Sequence, residues 1–239
     1  MSELSSWLIT GCSRGIGLEF VRQLIASPSN LVIATCRNPD TATALQALRA
    51  DTNNLKGTLH IARIDVADEQ SIRGSVKELG LILEDHGLDY LINNAAVTEG
   101  ADSAFKHSAE GFRKTFEANV IGPALLAQVY LPYLEKGRRK VIMNMTSGLA
   151  SMGLNIGSKN ATYSVSKTAL NMLTYKQATE RPDLIAFVVD PGWVKTVMGG
   201  EGAFLEPHES VESLIQLLTS VTSEHSGKFF GRDGNVIPW

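Results

Sequence analysis

The sequence has few cysteines and no excess of basic residues. Only two cysteines, Cys12 and Cys36, occur among 239 residues, and their spacing fits neither a disulfide framework nor a metal site. The net charge is −3, so no overall positive field would attract nucleic acid or anionic lipid. We therefore expect a reducing, cytoplasmic location, no bound metal, and neither nucleic acid nor a membrane as a partner.

Long apolar runs are absent as well. The first ten residues, MSELSSWLIT, lack the basic segment and long apolar run of a signal peptide. No apolar stretch reaches the roughly 18 residues that suggest a transmembrane helix. Apolar residues make up 44% and charged residues 20% of the chain, which is typical of soluble globular proteins. The composition predicts a soluble protein that builds its core without disulfides or metals.

Short apolar runs alternate with longer helical patterns along the chain. The runs are nearly continuous in apolar character, except the half-alternating third one, and this is typical of strands covered on both faces of a parallel sheet. The predicted strands are Trp7–Thr10, Leu31–Cys36, Thr58–Ile64, Asp89–Ile92, Val141–Met145 and Leu184–Val189. The predicted helices are Gly15–Ala26, Pro39–Ala50, Asp68–Asp85, Ala109–Leu134, Thr162–Thr179 and Pro207–Val221. The alternation predicts one α/β domain over residues 1–239, with a doubly wound parallel sheet and helices on both faces.

A glycine-rich turn joins the first predicted strand to the first predicted helix. Residues 10–17 read TGCSRGIG, and such glycines permit a tight turn and a close approach of backbone to a pyrophosphate. The free N–H groups that begin the helix form an anion site. A purely structural turn is the alternative, which its place between a strand and a helix disfavours. The candidate cofactor contacts here are Gly11, Ser13, Arg14, Gly15, Ile16 and Gly17.

The end of the second predicted strand bears on the choice between NAD and NADP. An NAD site places a carboxylate there, about 20 residues after the glycines, to hold the ribose 2′-hydroxyl. The chain instead has Arg37 and Asn38, with no carboxylate until Asp40. Guanidinium groups match phosphate oxygens, so Arg37 and Arg14 favour NADP(H). The alternative is that both arginines are solvated surface residues.

Tyr163 and Lys167 lie four residues apart in the fifth predicted helix, and that spacing places both on one helical face. In isolation the pair is weak evidence. A nearby ammonium, together with the positive ring of an oxidised nicotinamide, would lower the tyrosine pKa from about 10 and make it a better acid–base. Ser147 follows the fifth predicted strand, at the edge where parallel sheets hold their ligands. Its hydroxyl could donate to a carbonyl oxygen.

These motifs, in this order, resemble the compact branch of the short-chain dehydrogenase/reductase family. The resemblance implies a mostly parallel seven-stranded Rossmann-type sheet, and it extends to the segments Ile64–Val66, Asn93–Ala96, Phe116–Gly122 and Pro191–Thr196. It implies four catalytic residues, Asn119, Ser147, Tyr163 and Lys167. It implies further cofactor contacts at Asp65, Val66, Asn93, Ala95, Tyr163, Lys167, Pro191, Gly192, Val194 and Thr196. The chain departs from the family at Ala96, where glycine is usual, and in the length of the loop over residues 151–160.

The resemblance implies an NADPH-dependent carbonyl reductase. Ser147 would orient the oxygen of a small ketone or aldehyde, Tyr163 would give it a proton, and Lys167 and Asn119 would replenish that proton through water. Two alternatives stay open: an NAD-dependent alcohol dehydrogenase, which Arg37 disfavours, and a non-catalytic nucleotide-binding signalling protein on the same fold. The intact catalytic positions argue against the second, although fold alone does not exclude it.

Residues 197–221 are expected to hold a substrate lid and the helix after it. Three glycines in the lid suggest mobility, and Phe204 and Leu205 could close over an apolar substrate. Residues 227–239 are similar to the C-terminus of sniffer-type carbonyl reductases and C-signal-like proteins. The family often forms dimers or tetramers through the helix of Tyr163, where Leu170 and Tyr175 could serve core or interface, and a monomer stays open.

Overall fold

Seven parallel strands form one sheet in the computed structural model, which describes residues 4–239. The prediction that residues 1–10 do not form a signal peptide includes residues 1–3, which lie outside the described part. The strands are β1 (Ser5–Thr10), β2 (Asn30–Cys36), β3 (Thr58–Arg63), β4 (Tyr90–Asn93), β5 (Val141–Met145), β6 (Ile185–Asp190) and β7 (Phe229–Gly231). Their order across the sheet is β3-β2-β1-β4-β5-β6-β7. The predicted fold class is confirmed, and the six predicted strands agree with observed ones to within two residues at each end.

Helices cover both faces of the sheet. They are α1 (Gly15–Leu24), α2 (Thr43–Ala50), α3 (Glu69–Leu83), α4 (Ala109–Phe116), α5 (Gly122–Lys136), α6 (Ala161–Glu180) and α7 (Pro207–Ser220). Polar side chains cap the starts of α3 and α4: Asp68 accepts from the backbone N of Gln70 at 2.9 Å, and Ser108 accepts from the N of Gly111 at 2.8 Å. These caps satisfy N–H groups that have no partner inside the helix.

One predicted helix is interrupted. The pattern over Ala109–Leu134 reads as a single helix, but the structure places a π-helical turn at Glu117–Ile121 between α4 and α5. Such turns are rare inside α-helices and frequently lie at functional sites. The turn contains Asn119, which bears on the site below.

Two apolar clusters lie on opposite faces of the sheet because side chains alternate along each strand. In β1, Trp7 and Ile9 belong to the cluster that packs on α1 and α7, and Leu8 belongs to the cluster that packs on α3 and α5. In α6, Leu170 is buried in the core whereas Tyr175 is exposed, so of these two side chains the tyrosine is the one at the surface. Within residues 4–239, no helix has the length and apolar character to cross a membrane.

The strand order places a crevice between β1 and β4. From β1 the chain builds outward to β2 and β3, and from β4 it builds outward on the other side. Parallel α/β sheets bind ligands outside the carboxyl ends of the strands at such a reversal. The turns that follow β1, β4, β5 and β6 therefore border the same region.

Candidate active site

The turn after β1 is shaped by glycine and braced by the segment after β4. Gly11 has φ 75°, a left-handed conformation that favours glycine. A Cβ at Gly17 would lie 2.4 Å from the carbonyl oxygen of Gly11, so α1 can start this close to the turn only with glycine there. Thr10 Oγ1 accepts from the backbone N of Ala95 at 3.0 Å, and Asn94 Nδ2 donates to Thr10 O at 2.8 Å. These contacts hold the glycine turn against the segment after β4.

Both predicted arginines line one cavity beside this turn. The cavity has a volume of about 290 Å³ and lies between the turn and the end of β2. Its walls are formed by Ser13, Arg14, Cys36, Arg37, Asn38, Thr41, Ala42, Thr43 and Ala44. None of these residues is acidic, so the cavity offers two guanidinium groups and no carboxylate that would repel a phosphate.

A third arginine stands at the same end of the sheet, and the sequence motifs did not reveal it. Arg63 ends β3, and its Nε donates to the carbonyl oxygen of Arg37 at 3.2 Å. Strands β2 and β3 pair in parallel, and Cys36 at the end of β2 lies opposite Arg63. Only this register shows that Arg63 lies beside the predicted phosphate site.

The cysteines and other potential ligands form no metal site. In the part of the chain that the structure describes, no group of three or more histidine, cysteine or acidic side chains could hold a metal ion. Cys12 and Cys36 are buried free thiols. Burial raises the pKa of both, so they remain protonated and act as small apolar side chains.

The predicted contacts after β3 and β4 are mixed in character. Asp65 lies in the turn before α3, where its Oδ1 accepts from the N of Ala67 at 3.1 Å. Val66 packs its backbone against the start of α5. Asn93 is buried and donates through Nδ2 to Asn144 Oδ1 at 2.7 Å. Asn93 therefore braces β4 against β5, and Ala95, which contacts the glycine turn, is the better placed of the two for a cofactor.

The segment after β6 converges on the same glycine turn. A Cβ at Gly15 would lie 3.3 Å from Thr196 Cγ2, which places Thr196 directly beside the glycine turn. The Thr196 hydroxyl accepts from the N of Gly199 at 3.0 Å. Val194 is buried, and Pro191 O accepts from Ser210 of α7 at 2.7 Å. Segment 191–196 is thus a fixed wall of the crevice.

Tyr163 and Lys167 lie one turn apart at the start of α6. Lys167 is 1% exposed, its Nζ lies 5.7 Å from the Tyr163 ring centroid, and it donates to the carbonyl oxygen of Met145 at 2.7 Å. Burial lowers the pKa of Lys167 to about 7. Burial also raises the pKa of Tyr163, and the carboxylate of Asp190 raises it further. The direction of this shift is opposite to the expected lowering of the tyrosine pKa, because burial disfavours the charged phenolate.

Ser147 presents a free hydroxyl proton near this helix. It follows β5 and caps a short 3₁₀ turn, accepting from the N of Leu149 at 3.2 Å. The turn packs on α6 through a bond of 3.1 Å from Thr168 Oγ1 to Ala150 O. The neighbouring hydroxyl of Thr146 is buried and donates to Asn171 Oδ1 at 2.7 Å. Ser147, not Thr146, is therefore available to donate to a substrate.

Asn119 is fully buried in the π-helical turn and joins two elements of the site. Its Nδ2 donates to Val97 O at 2.9 Å and to Ser166 Oγ at 3.0 Å, while its Oδ1 accepts from the N of Val97 at 2.9 Å. Both amide hydrogens are thus occupied. The side chain ties the segment after β4 to α6, and a water held at this residue would have to use other atoms.

The segment that was predicted to form a substrate lid packs against itself. Of its two apolar residues expected to close over a substrate, Phe204 is exposed and Leu205 is not. Leu205 is buried and pairs with Val194, so it cannot close over a substrate. Phe204 is exposed and meets the Trp193 ring edge-on, with ring centroids 6.4 Å apart. Trp193 Nε1 donates to Gly199 O at 2.8 Å. Trp193 and Phe204 therefore form the apolar surface of this segment.

The longer loop over residues 151–160 borders the serine turn. A Cβ at Gly148 would lie 3.3 Å from Ile156 Cδ1 and 3.6 Å from Leu154 Cδ1. The start of the loop is anchored by the end of the chain, because Gly153 N donates to Trp239 O at 3.0 Å. The extra length therefore covers the outside of the Ser147 turn and leaves the strands unchanged.

Comparison with known proteins agrees with these motifs. A model of the short chain dehydrogenase family matches residues 6–203. The chain belongs to the short-chain dehydrogenase family. This short-chain dehydrogenase is similar to the carbonyl reductase Sniffer of D. melanogaster, with a TM-score of 0.92 and 30% identity over 99% of this chain and 100% of that one.

Two further relatives have names that describe their chemistry. An NADPH-bound carbonyl reductase from chicken fatty liver aligns with a TM-score of 0.90 and 32% identity, over 99% of this chain and all of its own. Norsolorinic acid ketoreductase of Dothistroma septosporum is 30% identical over 254 residues, which cover 100% of this chain and 94% of that protein. The protein is accordingly an oxidoreductase of the short-chain dehydrogenase type that binds a nicotinamide cofactor.

Proposed function

We propose that this short-chain dehydrogenase is an NADPH-dependent reductase of ketones or aldehydes. The observation that carries the proposal is the placement of a free Ser147 hydroxyl beside the helix that holds Tyr163 over buried Lys167. The preference for NADPH rests on Arg14 and Arg37, which line one cavity that has no acidic wall. The NADPH bound to the chicken relative supports the same choice.

The residues present fit a dinucleotide. The start of α1 packs so closely on the glycine turn that a Cβ at Gly17 would clash with Gly11 O; the backbone N–H groups of this turn and helix start would hold the pyrophosphate, and Arg14 and Arg37 would hold the 2′-phosphate. NADPH supplies the hydride when it is bound. Thr196, at the wall beside the turn, would orient the nicotinamide end.

The side chains would then handle the substrate oxygen and the proton. Ser147 Oγ donates a hydrogen bond to the carbonyl oxygen and fixes its position. As the carbon receives the hydride, the Tyr163 hydroxyl gives its proton to the oxygen, and the product is the alcohol. Lys167, bonded to Met145 O, holds its amine beside the phenol and helps return a proton from solvent. Asn119 keeps α6 in place against the segment after β4.

The test of the reaction is an NADPH-oxidation screen over ketones, aldehydes and quinones. We expect Tyr163→Phe to lower turnover by about 10²- to 10⁴-fold while NADPH binding is retained, because only the proton donor is lost. Tyr175→Phe, at an exposed position of the same helix, is the matched control and should keep its activity. Near-normal turnover by Tyr163→Phe would contradict the mechanism.

The cofactor preference is tested separately. Arg37→Asp should raise the NADPH Michaelis constant about 10- to 100-fold, because a charge-assisted contact is lost and a repulsive carboxylate is introduced. The constant for NADH should change little. Arg49→Asp, on the exposed side of α2 and outside the cavity, is the control. Faster reaction with NAD than with NADP would favour the alcohol dehydrogenase alternative, and cofactor binding without any turnover would favour the signalling alternative.

A further inference from the structure

The start of α6 has no cap from its own sequence. The helix begins at Ala161, and Asn160 before it has φ 57° and ψ 46°, a left-handed conformation. A residue that caps a helix with its own side chain usually has an extended backbone, and the Asn160 side chain makes no capping bond. The first N–H groups of a helix have no partner inside it. The start of the helix that carries Tyr163 therefore depends on acceptors from elsewhere in the chain.

Asp102, in the stretch between β4 and α4, supplies these acceptors. Its Oδ1 and Oδ2 each accept from the backbone N of Thr162 at 3.3 Å. The Thr162 hydroxyl donates to Oδ2 as well. The backbone N of Asn160 donates to the carbonyl oxygen of Asp102 at 3.1 Å. One residue thus holds both Asn160 and Thr162, although it precedes Thr162 by 60 residues in the chain.

Burial and charge both favour this contact. Thr162 is 1% exposed, and a buried hydroxyl without a partner destabilises the fold. A carboxylate at the start of a helix also lies at the positive end of the helix dipole. Asp102 is partly buried, so solvent ions screen its charge less than that of an exposed residue. Removal of the carboxylate would leave the N–H and the hydroxyl of Thr162 without the acceptors that they use in this structure.

Tyr163 lies between two such contacts. On one side, Asp102 holds Thr162, the residue directly before the tyrosine. On the other side, Ser166 Oγ donates to Tyr163 O at 2.7 Å and accepts from Asn119 Nδ2 at 3.0 Å. Helix ends fray, so the second contact alone leaves the first turn free to move. Proton transfer needs the phenol within about 3 Å of the substrate oxygen, and a misplacement of about 1 Å can lower the rate about 10²-fold.

We propose that Asp102 is a positioning residue for proton transfer, which caps α6 from the stretch after β4 and so fixes the phenol of Tyr163 relative to Ser147. The carboxylate bonds to Thr162, which is not a proposed cofactor contact. Its loss should therefore lower turnover and leave NADPH binding unchanged. The inference rests on the proposed function, in which Tyr163 is the proton donor.

Kinetics and binding measured together separate positioning from cofactor binding. Asp102→Ala removes the carboxylate, and we expect it to lower kcat for carbonyl reduction about 10- to 100-fold. The NADPH dissociation constant from calorimetry should stay close to that of the wild type. Asp102→Asn keeps an oxygen that can accept from Thr162 and should recover most of the turnover. Glu99→Gln is the control: Glu99 lies in the same stretch but pairs with Lys114 of α4 at 3.1 Å, so turnover should be kept.

A double variant tests whether the contact itself is responsible. Thr162→Val removes the hydroxyl with little change of shape and should also lower kcat. Its addition to Asp102→Ala should lower kcat little further, because both changes disrupt the same contact. Amide hydrogen exchange gives a readout that does not depend on turnover. The N–H of Thr162 should exchange faster in Asp102→Ala, whereas that of Leu170, in the middle of α6, should not change.

The outcomes are distinct. If Asp102→Ala melts at a lower temperature but keeps the wild-type kcat while it is folded, the role is only structural and the inference is overturned. Losses of kcat that multiply in the double variant, or a matching loss of NADPH binding, also overturn it. If Asp102→Ala does not fold, Asp102→Ser takes its place in the same comparison. A wild type that reduces no carbonyl compound contradicts the proposed function, and the inference falls with it. An active wild type with normal turnover by Asp102→Ala contradicts the inference alone.

Discussion

The buried Lys167 lowers the stability of the folded protein. Its replacement by methionine should therefore raise the free energy of unfolding and remove activity. The side chain is 1% exposed and makes a bond to Met145 O. Burial lowers its pKa from 10.5 to about 7, so keeping the amine charged costs the folded protein about 5 kcal/mol. Methionine has a similar length and no charge, and the lost hydrogen bond offsets about 1–3 kcal/mol. The net gain at low pH is about 2–4 kcal/mol.

The gain depends on pH in a defined direction. The pKa of Lys167 is lower in the folded chain than in the unfolded chain, so the unfolded chain binds more protons between pH 7 and 10.5. The penalty is therefore complete below about pH 7 and disappears as the pH approaches 10.5. The advantage of Lys167→Met should be largest near pH 6 and should shrink steadily above pH 7.

Thermal unfolding of matched variants measures this difference. For a chain of this length, about 1 kcal/mol moves the melting temperature by about 2–4 °C, so Lys167→Met should melt roughly 5–15 °C higher than the wild type near pH 6. Lys176→Met, at an exposed position of the same helix, should show no pH-dependent gain. A variant at Lys167 that is less stable near pH 6, or whose gain is constant with pH, would refute the reasoning.

Two further variants test the glycine turn and the end of the chain. Gly17→Ala should abolish NADPH binding measured by calorimetry, because its methyl group would lie 2.4 Å from a backbone oxygen. The control is Gly74→Ala, which has open space around its Cβ. This control should still bind NADPH, and its free energy of unfolding in urea should rise by about 1 kcal/mol. Trp239→Ala removes a ring that lies 5.8 Å from that of Phe229; the loop over residues 151–160 should be cleaved faster by protease and the Michaelis constant for the carbonyl substrate should rise. Unchanged cleavage would show that the loop does not depend on this ring.

Local patterns predicted the elements of the fold well, and the reason is their short range. Strands buried on both faces must be apolar throughout, and a helix repeats every 3.6 residues, so each element is encoded in consecutive residues. The sequence pattern did not predict the π-helical turn around Asn119, because the apolar periodicity continues through it. Its cause lies in the bonds of Asn119 to Val97 and Ser166, which are 22 and 47 residues away.

The candidate site divides in the same way. The glycine turn, the pair of Tyr163 and Lys167, and the arginine after β2 are recognisable from the sequence, because their chemistry needs particular residues at particular spacings. The sequence alone therefore determined the family, the sheet and the residues proposed for catalysis. The sequence did not predict which apolar side chains are buried. Leu205 lies in the core and Phe204 at the surface, although the two are adjacent in the sequence.

Only the tertiary structure decided the electrostatics. The pKa of Lys167 depends on its burial, and its Nζ donates to the carbonyl oxygen of Met145 in β5, 22 residues away in the chain. Desolvation and hydrogen bonding act over a few ångströms in space, whatever the separation in the chain. The sequence thus identifies the groups that would move the proton, and the tertiary structure determines their pKa values.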